Sequence, residues 1–304
     1  MQIGIVGLGR MGANMARRLA RGGAQVIAHD RKDSARAALA DEAGVTTVAG
    51  LAALCAQLNE GERVIVMMLP AGGAIDATLE ELATLVSSGD TLVDGGNSHY
   101  RDSMRRALAL SQEGLRYVDA GVSGGIHGLA QGYCLMLGGT PTAVEQFAPF
   151  AEILAPGRQT GWLHCGASGA GHYAKMVHNG IEYGMMQAYA EGFALLKAKT
   201  DFEFDLARLA ETWRHGSVVR SWLLDLCAEL FAEDEGLENI APIVADSGEG
   251  RWTALEAVEL GVPAPVIALA LMARFSSQGK SDYGRRVLAM MRAKFGGHAV
   301  TKHR

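Results

Sequence analysis

Lys175, Asn179 and Glu182 are spaced i, i+4 and i+7 in the run Lys-Met-Val-His-Asn-Gly-Ile-Glu-Tyr that fills residues 175–183. On an α-helix such positions fall within about 60° of one another. One face would therefore present an amine, an amide and a carboxyl, with His178 on its flank. Burial is what makes such a pair useful. It lowers the pKa of a lysine and raises that of a glutamate, which gives a base and an acid that both work near neutral pH. Met176, Val177 and Ile181 lie off the stripe and are expected to face a core, while Gly180 and Gly184 let a neighbouring element come close. A lone helical lysine is ordinarily a solvated surface group. The company of Asn179, Glu182 and the glycines, on a long helix expected to be buried, sets this one apart.

Two glycine-rich segments offer complementary groups. Asp94-Gly-Gly-Asn97-Ser98 ends one strand-like run, and Gly121-Val-Ser123-Gly124-Gly125 follows another. Open α/β sheets hold ligands at the carboxyl ends of their strands, and Asn97 and Ser123 sit there among glycines that expose backbone N–H groups. Nearer the amino terminus, Gly7-Leu8-Gly9-Arg10-Met11-Gly12 fits G-x-G-x-x-G directly after the apolar run Ile3–Val6. In that fingerprint the first glycine makes the tight turn, the second admits a pyrophosphate and the third lets the helix pack on the sheet. The free N–H groups of a helix opening at Gly12 would face the phosphates.

Asp30 stands eighteen residues after Gly12, at the end of the second strand-like run. A carboxylate there accepts hydrogen bonds from the adenosine ribose hydroxyls and repels a 2′-phosphate, which favours NAD. Arg31 and Lys32 follow at once and could neutralise a 2′-phosphate, so NADP stays open. Leu69, Ala71 and Asn97 complete the candidate cofactor residues. No spacing of His, Cys and carboxylates suggests a metal site, since His172 and His178 are six apart and off one face; none is expected.

These residues need a scaffold, and the first half of the chain supplies its pattern. Gln2–Val6, Gln25–His29, Val64–Leu69, Thr91–Asp94, Arg116–Asp119, Tyr133–Leu137 and Gly161–His164 read as strands, with helical stretches such as Gly12–Arg21, Ser34–Ala40 and Ala74–Leu85 between the early ones. Strand–helix alternation with nearly continuous apolar strands predicts a mostly parallel sheet covered on both faces. From residue 168 onward the pattern is helical: Gly169–Lys199, Leu206–His215, Ser217–Ala232, Thr253–Leu260, Val266–Ser276 and Asp282–Lys294. The fold class is an α/β Rossmann-type domain over residues 1–165 followed by an all-α domain over residues 166–304.

Composition narrows the function classes. The net charge of −5 across 304 residues argues against a nucleic-acid partner, which wants a basic face. Apolar residues at 49% and charged residues at 20% give both a core and a solvated surface. Glycine, at 39 residues, is nearly twice the usual ~7%. It clusters in short groups without a collagen period. Cys55, Cys134, Cys165 and Cys227 form no Cys-x-x-Cys pair and read as reduced thiols of a cytoplasmic protein. No signal peptide is expected ahead of the strand at Gln2. The most apolar runs, Val64–Leu69 and Val262–Ala273, fall short of the ~20 residues of a membrane span.

Taken together, Gly7–Gly12, Asp94–Ser98, Ser123–Gly125, the 175–183 run and Gly248–Thr253 resemble the decarboxylating 6-phosphogluconate dehydrogenases of the shorter bacterial type, a branch of the β-hydroxyacid dehydrogenases. The resemblance covers the whole chain, and the 175–183 run is its most specific part. It implies Lys175 and Glu182 as catalytic base and acid. Asn97, Ser123, Gly124, Gly125, His178 and Asn179 match residues holding the sugar-acid end, and Tyr183, Arg251, Thr253 and Arg274 match residues around the phosphate. Arg292 and His298 match a pair that a second subunit contributes through its tail, which implies a homodimer or homotetramer. Arg251 stands where the longer members carry lysine. The implied reaction converts 6-phosphogluconate to ribulose 5-phosphate and CO2 with hydride transfer to NAD or NADP. Two rivals remain. A 3-hydroxyacid dehydrogenase acting on an unphosphorylated substrate would not need the arginines, and a non-catalytic nucleotide sensor would not need Lys175 and Glu182.

Overall fold

The computed structural model describes residues 1–296 and 299–301. The chain divides into two compact units, Met1–Met176 and Val177–Arg304. The first is built on eight strands: β1 (Gln2–Val6), β2 (Gln25–His29), β3 (Val45–Val48), β4 (Val64–Met67), β5 (Thr91–Asp94), β6 (Arg116–Ser123), β7 (Cys134–Gly139) and β8 (Trp162–Gly166). They form one sheet in the order β3-β2-β1-β4-β5-β6-β7-β8. All neighbours are parallel except β6 and β7.

The helices of this unit are α1 (Arg10–Arg21), α2 (Asp33–Ala37), α3 (Leu51–Ala56), α4 (Gly73–Ala83), α5 (Tyr100–Gln112), α6 (Gly128–Gln131) and α7 (Pro141–Leu154), and α8 (Ala170–Ala198) begins in it. Fully apolar strands such as Val64–Met67 are buried along their whole length because helices cover both faces of the sheet. One core gathers Ile3, Ile5, Met15, Leu19, Val118, Leu137 and Phe147. The other gathers Ile65, Met67, Ile75, Leu82, Leu92 and Tyr117.

Several elements differ from the sequence expectation by a few residues, and some differences have a clear physical reason. Strand β3 was not anticipated: Val45-Thr-Thr-Val48 has two apolar residues, and as an edge strand it pairs with β2 alone. Strand β6 continues past Asp119 to Ser123 because β7 runs back along it, pairing Val122 with Leu135 and Ser123 with Cys134. Helix α1 opens at Arg10, two residues before Gly12, with Gly9 as its cap residue.

The second unit continues α8 and adds α9 (Leu206–Arg214), α10 (Trp222–Glu233), α11 (Glu249–Leu260), α12 (Pro265–Ser277) and α13 (Asp282–Gly296). Helix α10 starts at Trp222 rather than at residue 217 because the Ser221 hydroxyl caps it, accepting from Leu224 N–H at 3.2 Å. Phe193, Leu206, Ala210, Leu224 and Ala228 form one core, joined by Trp213 and Phe231. Tyr183, Ala270 and Leu271 form a smaller one. Many large apolar side chains of this unit remain exposed, among them Leu195, Val258, Leu269 and Leu288. Among the described residues no helix is long and apolar enough to cross a membrane.

Candidate active site

In the first unit the glycine loop follows β1 and meets the ends of β2 and β4. Gly7 has φ +94°, and a side chain there would strike the Met68 carbonyl oxygen at 2.5 Å. A Cβ on Gly12 would lie 2.0 Å from the Gly7 carbonyl oxygen, so this glycine seats the helix on its own loop. Gly9 has nothing within 4 Å of its would-be Cβ, and α1 starts there without a side-chain cap. Its first N–H groups are thus left for a ligand, and an anion satisfies them best. The loop therefore fits a pyrophosphate. Arg10 is exposed and Met11 half-buried on the first turn, and Leu8 is buried beneath.

Asp30 is held by two backbone donors. Its Oδ2 accepts from Leu8 N–H and its Oδ1 from Lys32 N–H, both at 2.8 Å. Burial pulls its pKa upward, but these two bonds outweigh it and hold the carboxyl below its ordinary value of 3.8. A carboxylate offers about four acceptor positions, so room remains for ribose hydroxyls. Arg31 is exposed. Leu69 packs under Gly7, and Ala71 is exposed just beyond it.

Asn97 is exposed between buried Gly96 and Ser98, and Asp94 explains why. That carboxylate is fully buried; it accepts from Gly96 N–H (3.0 Å), Ser98 Oγ (2.7 Å), Arg106 Nη1 (3.1 Å) and the Tyr117 hydroxyl (3.1 Å). Burial, and then the Asp94 charge, push the Tyr117 phenol well above its ordinary value, so it remains a donor. The network fixes both flanks of Asn97 and leaves its amide facing outward. Ser123 ends β6, and Gly124 (φ +128°) and Gly125 (φ +52°) take backbone conformations that favour glycine.

Lys175 is 8% exposed. Helix α8 reaches β6 because Gly121 lacks a side chain: a Cβ there would lie 2.4 Å from Lys175 Cβ and 2.9 Å from the Gly171 carbonyl oxygen. The lysine stem therefore crosses β6 two residues before Ser123. Asp119, which the sequence reading did not single out as a site residue, holds the same turn of α8. Gly169 N–H donates to Asp119 Oδ1 at 2.6 Å and His172 N–H to Asp119 Oδ2 at 2.9 Å.

In the second unit the remaining face of α8 carries His178, Asn179, Glu182 and Tyr183. Helix α8 is continuous from Ala170 to Ala198, so the spacing of Lys175, Asn179 and Glu182 is a helical one. His178 Nδ1 lies 3.1 Å from Asn179 Oδ1 and 4.0 Å from Glu182 Oε2. The Glu182 side chain keeps 40% of its accessible surface, so the burial expected for it is not found, and Ile181, expected in a core, is 53% exposed. Both face away from the elements that cover Tyr183 and Gly184.

Tyr183 is buried, and its hydroxyl lies 3.1 Å from Ser247 Oγ, while the Arg274 guanidinium sits 3.5 Å from its ring centroid. Arg251 donates through Nε (3.1 Å) and Nη2 (2.6 Å) to Asp246 Oδ2 and rests over Phe275. Burial pulls Asp246 upward, but the bonds from Arg251 and Gly248 N–H hold its pKa below the ordinary value. Thr253 is buried, its methyl edge against Gly180 and its hydroxyl donating to the Glu249 carbonyl at 2.9 Å. Gly250 packs directly on the Tyr183 ring. Asp246 thus pairs with Arg251, and the buried Glu249 accepts from Ser247 Oγ at 2.6 Å, which the motif Gly248–Thr253 did not reveal. Arg292 is exposed on α13, and His298 lies outside the described residues. Among the described residues no group of three His, Cys, Asp or Glu could hold a metal ion.

Comparison with known proteins adds an independent line. Residues 2–166 match the family model described as the NAD binding domain of 6-phosphogluconate dehydrogenase, and residues 171–299 match that of the 6-phosphogluconate dehydrogenase C-terminal domain. An NAD(+)-dependent, decarboxylating 6-phosphogluconate dehydrogenase of Haloferax volcanii is 44% identical over 99% of both chains. The structure of Plasmodium falciparum 6-phosphogluconate dehydrogenase, determined in its apo form and with NADP+ or 6-phosphogluconate, superposes with a TM-score of 0.84 at 28% identity, covering 100% of this chain and 66% of that one. Mycobacterium tuberculosis 3-hydroxyisobutyrate dehydrogenase shares the fold at 22% identity, with a TM-score of 0.70 over 92% of this chain and 94% of that one.

Proposed function

The chain belongs to the 6-phosphogluconate dehydrogenase family, and from that membership we propose that it oxidises 6-phosphogluconate at C3 and decarboxylates it to ribulose 5-phosphate and CO2, with NAD as hydride acceptor. The observation that carries this reading is the buried Lys175, clamped by Gly121 beside the Ser123-Gly124-Gly125 turn. The glycine loop and Asp30 would hold the dinucleotide, and when bound its nicotinamide ring accepts the hydride leaving C3.

Neutral Lys175 takes the proton of the C3 hydroxyl as the C3–H bond breaks, leaving a β-keto acid. Its ammonium then stabilises negative charge growing on the C3 oxygen while the C1–C2 side loses CO2. The ammonium gives its proton to that oxygen, forming an enediol. Glu182 then protonates the former C2, now C1 of the product, while the enediol hydroxyl returns its proton to Lys175. Passage of that proton from Lys175 to Glu182 restores both groups, so no net proton is consumed. Asn97, Ser123, Gly124 and Gly125 hold the sugar-acid end, with His178 and Asn179.

Tyr183, Arg251 and Arg274 take the phosphate, with Thr253 seating α11 against α8. Since Asp246 already pairs with Arg251, a phosphate dianion calls for further positive charge. Arg292 and His298 of a neighbouring copy supply it, in a homodimer or homotetramer. The exposed apolar residues of the second unit support such assembly.

Preference for NAD rests on Asp30, held ionised and aimed by Leu8 and Lys32 N–H groups. The test is incubation with 6-phosphogluconate and either dinucleotide, read at 340 nm beside a panel of unphosphorylated hydroxyacids. Turnover of 6-phosphogluconate is expected. Its absence with both dinucleotides, or equal turnover of an unphosphorylated acid, overturns the assignment.

A further inference from the structure

Asp119 is fully buried on β6, and no step above uses it. Its two oxygens accept the Gly169 and His172 N–H groups at the start of α8, where the helix dipole is positive. Gly138 makes room for this carboxylate: a Cβ there would lie 2.5 Å from Oδ1 and 2.7 Å from Gly171 N. A Cβ on Gly171 would meet the Asp119 and Met136 carbonyl oxygens at 2.4 Å. With Gly121 under Lys175, the closest approach of α8 to β6 and β7 is thus made at three glycines.

Such a surface lets the backbones come very near, but the glycines themselves contribute no side chains to stop the helix sliding. Register must come from directional bonds. Among the described residues these include the two to Asp119 and one between the buried His172 Nδ1 and Ser103 Oγ of α5 at 2.7 Å.

We propose that Asp119 is a positioning residue for Lys175, pinning the first turn of α8 so that the lysine stands at a fixed place beside Ser123, with Ser103 and His172 as a second, weaker pin. The inference rests on Lys175 being the base. A shift of about 1 Å in a reacting group lowers a rate by as much as about 10²-fold, and the lysine sits less than two turns beyond the pinned N–H groups.

The experiment uses Asp119→Asn, Asp119→Ala and Ser103→Ala in the full chain. Turnover with 6-phosphogluconate, NAD affinity by fluorescence titration, and the reductive methylation rate of Lys175, with Lys197 as internal control, are measured on protein shown to be folded. Asp119→Asn should lower kcat by about 10- to 100-fold while KM and the NAD Kd stay within about threefold, and Lys175, but not Lys197, should change its methylation rate. Ser103→Ala should show a smaller loss of the same kind.

Parent kcat in folded Asp119→Asn, or a parallel loss of NAD affinity, overturns the proposal. Should Asp119→Ala fail to fold, Asp119→Asn, which keeps the volume and one acceptor, and Ser103→Ala decide it. An inactive parent would instead sink the assigned reaction. The methylation rates then still judge the pin, and unchanged Lys175 reactivity in all folded variants refutes it.

Discussion

Gly121→Ala tests whether the lysine is placed by a close approach of helix to strand. The added Cβ would fall 2.4 Å from Lys175 Cβ and 2.9 Å from the Gly171 carbonyl oxygen. Non-bonded carbons rest at about 3.5–4.0 Å, so the helix or strand must yield by roughly 1.1–1.6 Å. Neither contact can be relieved by a rotamer, because one atom is a Cβ and the other is backbone. Overpacking of this kind costs about 1–3 kcal/mol, and the same displacement moves the base far enough to lower kcat by about 10²-fold. NAD affinity should hold, since Gly7–Gly12 and Asp30 follow β1 and β2, several strands away in the sheet. The assay is steady-state turnover at 340 nm with thermal unfolding and NAD titration on the same sample. Gly192→Ala, on the same helix with nothing within 4 Å of the new methyl, is the control and should gain about 0.4–1 kcal/mol. A folded Gly121→Ala enzyme with parental kcat would refute the reasoning.

Other consequences follow from single groups. Arg18 donates to four carbonyls, Ile153 (3.0 Å), Leu154 (2.9 Å), Leu129 (3.2 Å) and Ala155 (2.7 Å), closing the end of α7; Arg18→Met should cost about 2–4 kcal/mol in chemical denaturation. Asp30→Asn should narrow the ratio of kcat/KM for NAD over NADP by about tenfold or more, equivalent to about 1.4 kcal/mol, as measured side by side. Asp30, Asp76 and Asp246 all have pKa values below the ordinary 3.8; for Asp76 the chief cause is the Arg106 hydrogen bond. Depressed folded values mean that their stabilisation is complete above 3.8 and disappears as pH falls through the folded values. Tm should therefore hold down to about pH 5 and drop below about pH 4, and a Tm that falls between pH 8 and 6 instead would contradict this.

Much of the first unit was legible because local signals agreed. Strand β1, the glycine loop and α1 follow one another in ten to twenty residues, and each carries its own pattern. Helix α8 was legible from spacing alone, and Lys175 proved buried. What escaped was set by distant partners. The end of β6 depends on β7 returning antiparallel, and Asp119 reads as an ordinary strand residue until Gly169 and His172 are brought over it, fifty residues later. Burial of Glu182 and Ile181 was inferred from helix periodicity, which gives the direction a side chain points but not what lies there. The carboxylate beside Arg251 was hidden for the same reason: Asp246 became relevant only when α11 packed Gly250 onto Tyr183.

The central claim is that one buried amine serves both oxidation and loss of carbon dioxide. It is tested most directly by following CO2 evolved against reduced dinucleotide formed, from 6-phosphogluconate labelled at C1, in the parent and in Lys175→Ala. The account predicts equal amounts of both products from the parent and loss of both from the variant. Substantial turnover by folded Lys175→Ala, or reduced dinucleotide from the parent without matching CO2, would contradict it.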